Sequence, residues 1–386
     1  MSIVTAKRST VARVSLVEAL DVGPSVWDDL LTRSTIRSPF MSWAWHRAWA
    51  EGAEGSAVQS SEVVVLRSAS AKLEGLFPFR IFRTRVRGLP VSALGWAISD
   101  LGCPDHLELP ASAEADLDAL VAELDHMSWD LIRLDNVAHT APNLERFAAA
   151  CARRGWSVRR TPLWRCPYVE LPESWEAYLS SLGPRWRRQV RRNESKLRRQ
   201  HDVVLTEYGP ARLQEGLQHL ERLHARRWGG GGVFREPGME LLHRYLAALL
   251  ADRGQLGLVT LDLNGAPAAA WYGFSLGDTV YSYQTGWDPR WERYSVGTVL
   301  MGLMIRRAIE RGYRTFDLLR GEEPYKTVWT PTARTCWEVI VIRAGWRAAV
   351  LHGLDWIATR RAAKWLRAGT AHFRHVRTKE LDSELV

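Results

Sequence analysis

The sequence predicts an α/β protein made of two halves, each a mixed, mostly antiparallel sheet flanked by helices. Three observations carry that reading. The chain has 386 residues, more than the roughly 250 that one hydrophobic core organises. Short runs of alternating apolar residues recur in both halves, with apolar residues at helical spacing between them. The order of those runs in the second half also repeats the logic of the first. Hydrophobic residues make up 46% and charged residues 25%, which excludes a disordered or collagen-like chain. No run approaches the ~20 apolar residues of a membrane span. The first eight residues, Met1 to Arg8, lack an apolar signal core, so a cytoplasmic location is expected.

In the first half, helical patches fall at 26–32 and at Trp43, Trp45, His46 and Trp49, the second capped by Ser42. Strands are expected at 62–67, 73–82 and 91–98. An amphipathic helix at 113–126 places Leu117, Leu120, Val121 and Leu124 on one face. A strand follows at 129–135, then a helix at 143–154 ended by Gly155, then a strand at 164–171. A strongly basic helix follows from Pro184, which suits a first helical turn, to Arg199. The second half continues with a strand at 203–208, helices at 211–228 and 236–253, and strands at 256–263, 266–275 and 279–286. Asn264-Gly265 forms the first hairpin turn, where both residues tolerate positive φ. A loop, a helix at 297–311 and a strand at 313–319 complete the series. The segment 346–377 reads as a basic amphipathic helix. The expected units are 1–170, 171–345 and a tail at 346–386. Docking of that tail on the body is favoured, and peripheral contact with an anionic membrane is the alternative.

The net charge of +9 would ordinarily raise nucleic acid or anionic lipid as a partner. Only six of the 52 basic residues are Lys, however. That Arg excess has the look of GC-rich coding, and it weakens the inference. The four cysteines, Cys103, Cys151, Cys166 and Cys336, contain no CxxC pair. They are expected to be buried free thiols, with Cys151 and Cys166 the pair considered for meeting in space, and no metal site is expected.

Chemistry concentrates in Phe316-Asp317-Leu318-Leu319-Arg320-Gly321-Glu322-Glu323-Pro324-Tyr325-Lys326, with Trp329 three residues on. A strand end has no structural need for so many polar groups, and strand ends are where α/β proteins place chemistry. This string closely resembles the closing motif of the CelD/BcsL-type (BioF2-like) acetyltransferase domain, a branch of the GNAT superfamily. Other strings resemble that domain in its order. They are Leu182 to Arg192, Leu223-His224-Ala225-Arg226-Arg227-Trp228, Asn264 to Ala270, Gly286-Trp287-Asp288-Pro289 and Tyr294-Ser295-Val296-Gly297. The architecture is similar to that of the FemABX aminoacyl-transferases, whose basic helix and late Phe-Lys motif match 185–199 and Tyr325-Lys326.

The resemblance implies tandem GNAT-like domains, the first degenerate and without a phosphate loop. Donor binding is expected at Arg293, Ser295, Gly297 and Thr298, where a helix start faces the pyrophosphate of an acyl-CoA co-substrate. The family's usual Arg/Gln-x-x-Gly-x-Gly/Ala signature is absent there. Lys326 is expected to steady negative charge on the acyl group. Asp317, Glu322 and Glu323 are the candidate bases, and Tyr325 the acid to the leaving group. Arg320, Trp228, Trp287 and Trp329 are the candidate acceptor-binding residues, with core packing the competing role for the tryptophans. His224 reads as a packed residue, and Asp100 and Asp105 as contributions from the first half. The implied activity is transfer of an acyl group from CoA to an amine of a small molecule or glycan, by direct attack. The alternatives are an amide-forming transferase using aminoacyl-tRNA and a non-catalytic accessory protein of polysaccharide synthesis.

Overall fold

The computed structural model describes residues 9–34, 38–86, 88–98, 101–229 and 233–343; the expected tail at 346–386 lies outside them. The first half opens with β1 (Thr10–Ser15) and four helices: α1 (Leu16–Leu20), α2 (Pro24–Arg33), α3 (Trp43–Gly52) and α4 (Gly55–Gln59). A meander of β2 (Ser61–Arg67), β3 (Leu73–Val86) and β4 (Leu89–Trp96) follows, then α5 (Leu117–Asp125), β5 (Leu131–Val137), α6 (Pro142–Arg153) and β6 (Ser157–Glu170). Two helices, α7 (Trp175–Ser181) and α8 (Pro184–Gln200), lead into the second half. That half repeats the plan: β7 (Val203–Glu207), α9 (Leu213–Arg227), α10 (Met239–Ala251), then a meander of β8 (Leu256–Leu263), β9 (Ala266–Leu276) and β10 (Thr279–Trp287). It ends with α11 (Val296–Glu310), β11 (Thr315–Asp317), α12 (Pro324–Thr327) and β12 (Ala333–Ile342).

All twelve strands form one sheet in the order β1-β2-β3-β4-β5-β12-β6-β11-β10-β9-β8-β7. The halves exchange their last strands. β12 lies antiparallel to β5, from Trp337↔Val137 to Ile342↔Leu131. β6 lies antiparallel to β11, from Glu170↔Thr315 to Asp317↔Tyr168. The two exchanged strands pair with each other from Ala333↔Pro167 to Ile342↔Ser157. Every pairing is antiparallel except β4–β5 and β10–β11.

Most elements match the sequence pattern, and the turn chemistry matches best. Ser42 accepts a hydrogen bond from the Trp45 N–H at the start of α3. Asn264 and Gly265 take φ of +52° and +80°. The sequence reading assigns no strand to β1 or β12 and starts β6 seven residues late, at 164 instead of 157. The first part of β6 has no buried face, with Arg159 only partly covered and Arg160 and Thr161 exposed. Apolar alternation is therefore missing there, and pairing with β12 holds the strand. β11 is also shorter than the expected 313–319, because after Asp317 the chain bends away.

The second half's sheet has two different faces. Tyr272, Phe274, Tyr281 and Tyr283 enter a core shared with Phe40 and Trp45 of the first half. Val259, Leu261, Trp271 and Phe316 face the opposite core with α11 residues such as Val296, Leu300 and Ile305. The two halves are thus joined by a shared core as well as by shared strands.

Candidate active site

β10 and β11 are paired only from Thr279↔Thr315 to Tyr281↔Asp317. Beyond that point β10 bulges between Ser282 and Gln284 and runs on to Trp287. The other strand turns toward β6. Leu318 donates its N–H to the Pro167 carbonyl and Gly321 to that of Arg165, each at 2.9 Å. Leu319 and Gly321 take φ of +59° and +100° to make this bend, a conformation that costs an ordinary residue about 1–3 kcal/mol. The result is two parallel strands that part and leave an opening.

α11 starts beyond the end of β10. A 3-10 turn, Pro289–Tyr294, leads to Ser295 in the left-handed region, and the Ser295 hydroxyl makes no capping bond. The first amides of α11 therefore lack a side-chain partner, which is the arrangement that receives an anion at a helix start. The turn is set by Asp288, buried and gripped by Arg290 and Arg226. Its hydrogen bonds with Arg290 hold the carboxyl well down, at about 2. Gly297 lies against the Trp287 indole, where a Cβ would stand 3.4 Å away in ordinary contact. Lys196 from α8 donates to the Arg293 carbonyl at 3.2 Å and lies over the Tyr294 ring. Arg293, Ser295, Gly297, Thr298 and Trp287 thus cluster at this helix start.

The loop after β11 forms a second polar group. Lys326 is buried on the short α12, with its ammonium donating to the Arg320 carbonyl and pairing with Glu323 at 3.1 Å. The Tyr325 ring lies 4.7 Å from the Arg227 guanidinium, which also lies 4.9 Å from the Trp228 ring. Arg227 in turn donates to the Thr285 hydroxyl on β10 at 2.6 Å. Arg227 therefore links α9, β10 and α12 around the opening, and Trp228 is 52% exposed beside it.

The first half reaches the same place through residues 102–106. Tyr283 on β10 donates to the Gly102 carbonyl. Arg320 pairs with Asp105 at 2.7 Å and donates to the Pro104 carbonyl. His106 Nε2 lies 3.2 Å from Asp317 Oδ2. Burial alone would raise the Asp317 carboxyl; His106, the Leu319 N–H and Arg334 outweigh it and hold the group below its ordinary value. His106, Asp317 and Arg334 border a cavity of about 520 Å³ together with His139, Asp278 and Tyr281.

Of the expected residues, the structure brings Lys326, Tyr325, Glu323, Arg320 and Trp228 to the opening. Asp317 lies beneath it, fully buried and paired. Glu322 is turned to Arg165, at 2.8 Å on the protein surface. Trp329 is in the core, its ring against Trp186 and its edge over Gly302; it lines no groove. His224 is a packed residue, tilted against Trp228 and edge-on to Phe234, and burial pushes its imidazole down to about 4. Asp105 reaches the site, while Asp100 lies outside the described residues. Cys166 lies beside Cys336, and none of the four cysteines forms a disulfide.

Sequence reasoning missed Arg227, Tyr283, His106 and Arg334. Arg227 had one local signal, its place beside an aromatic residue after an amphipathic helix. The others depend on contacts between segments far apart in the chain.

Residues 184–327 match the model of an acetyltransferase (GNAT) domain. The comparison with curated proteins returned no match. Among solved structures, FemX aligns with a TM-score of 0.53 at 12% identity, covering 86% of this chain and 97% of that one. The C-terminal domain (DUF2156) of an Agrobacterium fabrum protein named as a lysylphosphatidylglycerol synthetase aligns with a TM-score of 0.51 at 12% identity, covering 88% and 96%. L-PGS from Bacillus licheniformis gives 0.50 at 11%, covering 86% and 96%. At these identities the likeness is one of fold: a GNAT-like architecture, extended over both halves. No helix among the described residues is long and apolar enough to cross a membrane.

Proposed function

We propose that the chain is a GNAT-type acyltransferase that moves an acyl group from a CoA thioester to an amine of a small molecule or glycan. One observation carries this reading: the opening between β10 and β11 stands next to a helix start with no side-chain cap and with Arg293 and Lys196 beside it. The pyrophosphate of CoA would take the α11 amides, and the acyl end would lie between the parted strands. The match of residues 184–327 to a GNAT domain model supports the same assignment.

In this reading the amine attacks the thioester carbonyl directly, without a covalent enzyme intermediate. The Lys326 ammonium is bonded to the Arg320 carbonyl in the loop beside the opening, and it steadies the carbonyl oxygen as negative charge develops there. The Tyr325 hydroxyl gives a proton to the departing thiolate. Glu323, beside Lys326, is the carboxylate assigned to accept the proton of the amine, because Glu322 is turned to Arg165 and Asp317 is held by His106 and Arg334. Trp228 and Arg227 form a flat wall for the acceptor, and the 102–106 loop bounds the site from the first half.

A second reading has its own observation: α8, whose Asn193 and Lys196 lie against the α11 start and the turn before it, exposes Arg185, Arg188, Arg191 and Arg192, a basic surface fit for tRNA. The deciding experiment is a thermal-shift titration with CoA, acetyl-CoA and longer acyl-CoAs, beside bulk tRNA at two salt concentrations. A saturable shift with CoA compounds is expected, reaching ~2.7 kcal/mol at 100 times the dissociation constant. No response to CoA, with a salt-sensitive response to tRNA, would replace the proposal with the aminoacyl-tRNA reading.

A further inference from the structure

We propose that His106, Cys166 and Cys336 bind a soft divalent transition-metal ion, zinc by the chemistry of the ligand set. The three side chains come from segments that the sequence separates widely: the 102–106 loop, β6 and β12. All three are buried, and their ligand atoms lie within 4.8 Å of one another. Cys336 Sγ is 3.5 Å from Cys166 Sγ and 3.6 Å from His106 Nδ1. Zinc bonds of about 2.3 Å to sulfur and about 2.0–2.1 Å to nitrogen need tetrahedral edges of about 3.8 Å and about 3.6 Å. Two of the three edges therefore already stand close to these values, and the third is no longer than 4.8 Å.

The surroundings complete the pattern. A histidine that binds metal through one ring nitrogen commonly gives its other N–H to a carboxylate, which fixes the tautomer and the ring plane. Here the nitrogen facing away from the thiols lies 3.2 Å from Asp317 Oδ2, and Asp317 Oδ1 is itself fixed by the Leu319 N–H at 2.8 Å. His106 is also held at φ +53°, a conformation that persists in a non-glycine residue only when its neighbours over-determine it. An ion has a route in: His106 borders the 520 Å³ cavity with Asp278 and Asp317 in its walls.

Two other uses of the cluster fit less well. Cys336 and His106 with Asp317 have the order of a nucleophilic triad, but Cys336 exposes none of its surface and does not border the cavity. No substrate carbon reaches it. A disulfide would join residues that are diagonal across β6 and β12, since Cys166 faces Arg334 and Cys336 faces Trp164. A metal ion bridges that offset without moving either strand. Three protein ligands leave one coordination position for water. The ion would pin β6, β12 and the 102–106 loop together, and that loop carries Asp105 to Arg320. This is a positioning role, and it does not depend on which acyl donor the protein uses.

The test uses the full chain, purified without a histidine tag or chelator, with metal content measured by mass spectrometry. About one zinc per chain is expected. Cobalt(II) loaded in its place should give thiolate-to-cobalt absorption in the near ultraviolet and tetrahedral bands in the visible. Cys166→Ser and Cys336→Ser should each abolish those bands, whereas Cys103→Ser should keep them. Should the serine variants fail to fold, the wild-type protein decides the matter, because a strong chelator should lower its melting temperature and added zinc restore it. Absence of stoichiometric zinc together with absence of the cobalt bands overturns the proposal. So does a Cys166–Cys336 disulfide found in the freshly purified protein by mass mapping.

Discussion

In the first half, β4 and β5 are paired in parallel only at Ala93↔Leu131 and Leu94↔Ile132. In the second, β10 and β11 are paired in parallel over three positions before they part. The two halves thus make the same opening and treat it in opposite ways. The first fills it with its own chain: Leu107 forms a parallel bridge with Val137, and its N–H donates to the Asn136 carbonyl at 2.8 Å. Trp96 closes the gap further by donating its indole N–H to the Asp135 carbonyl at 2.9 Å. The helix start differs as well. α5 is capped by Asp116 with Asp118 in its first turn, a pair of carboxylates that repels phosphate, whereas α11 starts without an acid or a side-chain cap. Under the proposed function, the duplicated plan gives one half the donor site and leaves the other as scaffold.

The largest expected effect is loss of both halves together. His46 on α3 and His224 and His243 on α9 and α10 are buried, and burial pushes their imidazoles down to about 4, about 4 and about 3. The unfolded chain takes up these protons as pH falls below about 6.5, and the folded chain does not until near 4. Stability is therefore full above pH 6.5 and is lost as pH falls through that window, at up to about 3 kcal/mol for each imidazole. Chemical denaturation between pH 7 and 4 should show a steep decline. A flat profile would mean that these rings are not buried neutral, and that the joint core is looser than described.

Lys326→Ala comes next and addresses the open half alone. Removing the cation should lower kcat by ~10²–10³, with the melting temperature checked because Lys326 also holds the Arg320 carbonyl. Unchanged turnover in a folded variant would remove Lys326 from the chemistry. A smaller effect compares the two openings directly. A Cβ on Gly286 of β10 would overlap the backbone of Leu223 and His224, whereas one on Gly95 of β4 would stand 2.9 Å from the Arg133 carbonyl oxygen. Gly286→Ala should cost about 2–3 kcal/mol and Gly95→Ala about 1–2 kcal/mol, read from urea midpoints. The reverse order would place the tighter packing at the filled opening.

Much of this was legible in the sequence because it rests on local chemistry. The Asn264-Gly265 turn, the Ser42 cap and the meander before α11 each depend on residues a few positions apart, and the polar run from Asp317 to Lys326 marks the site without any fold. What escaped depends on the exchange of last strands. β6 and β12 pair along their polar-rich stretches with strands of the other half, so no periodicity in either segment announces a partner. Exchange also brings Cys336 to Cys166 and His106, which lie 170 and 230 positions before it, where a search for closely spaced ligands finds nothing. Trp329 is the converse case. Its motif pointed to a groove, and the hydrophobic face between α8 and α11 claimed it.

The finest distinction between the halves is a single charge at a helix start, and one substitution can transfer it. Thr298 lies in the first turn of α11, at the position in its helix that Asp118 approaches in α5. Thr298→Asp adds a carboxylate where the helix dipole welcomes one, so folding should be unharmed or slightly favoured, by about 0.3–1 kcal/mol. The same carboxylate faces the place proposed for the pyrophosphate, and two negative groups there repel across a few ångströms. The dissociation constant for CoA should then rise at least about tenfold, or about 1.4 kcal/mol, while the melting temperature of the free protein holds. A control is available in the other half: Asp118→Ser leaves the filled opening filled, so it should create no second CoA site. Equal CoA affinity in Thr298→Asp and wild type would show that the α11 start does not hold the donor, and the contrast between the two openings would then owe nothing to charge.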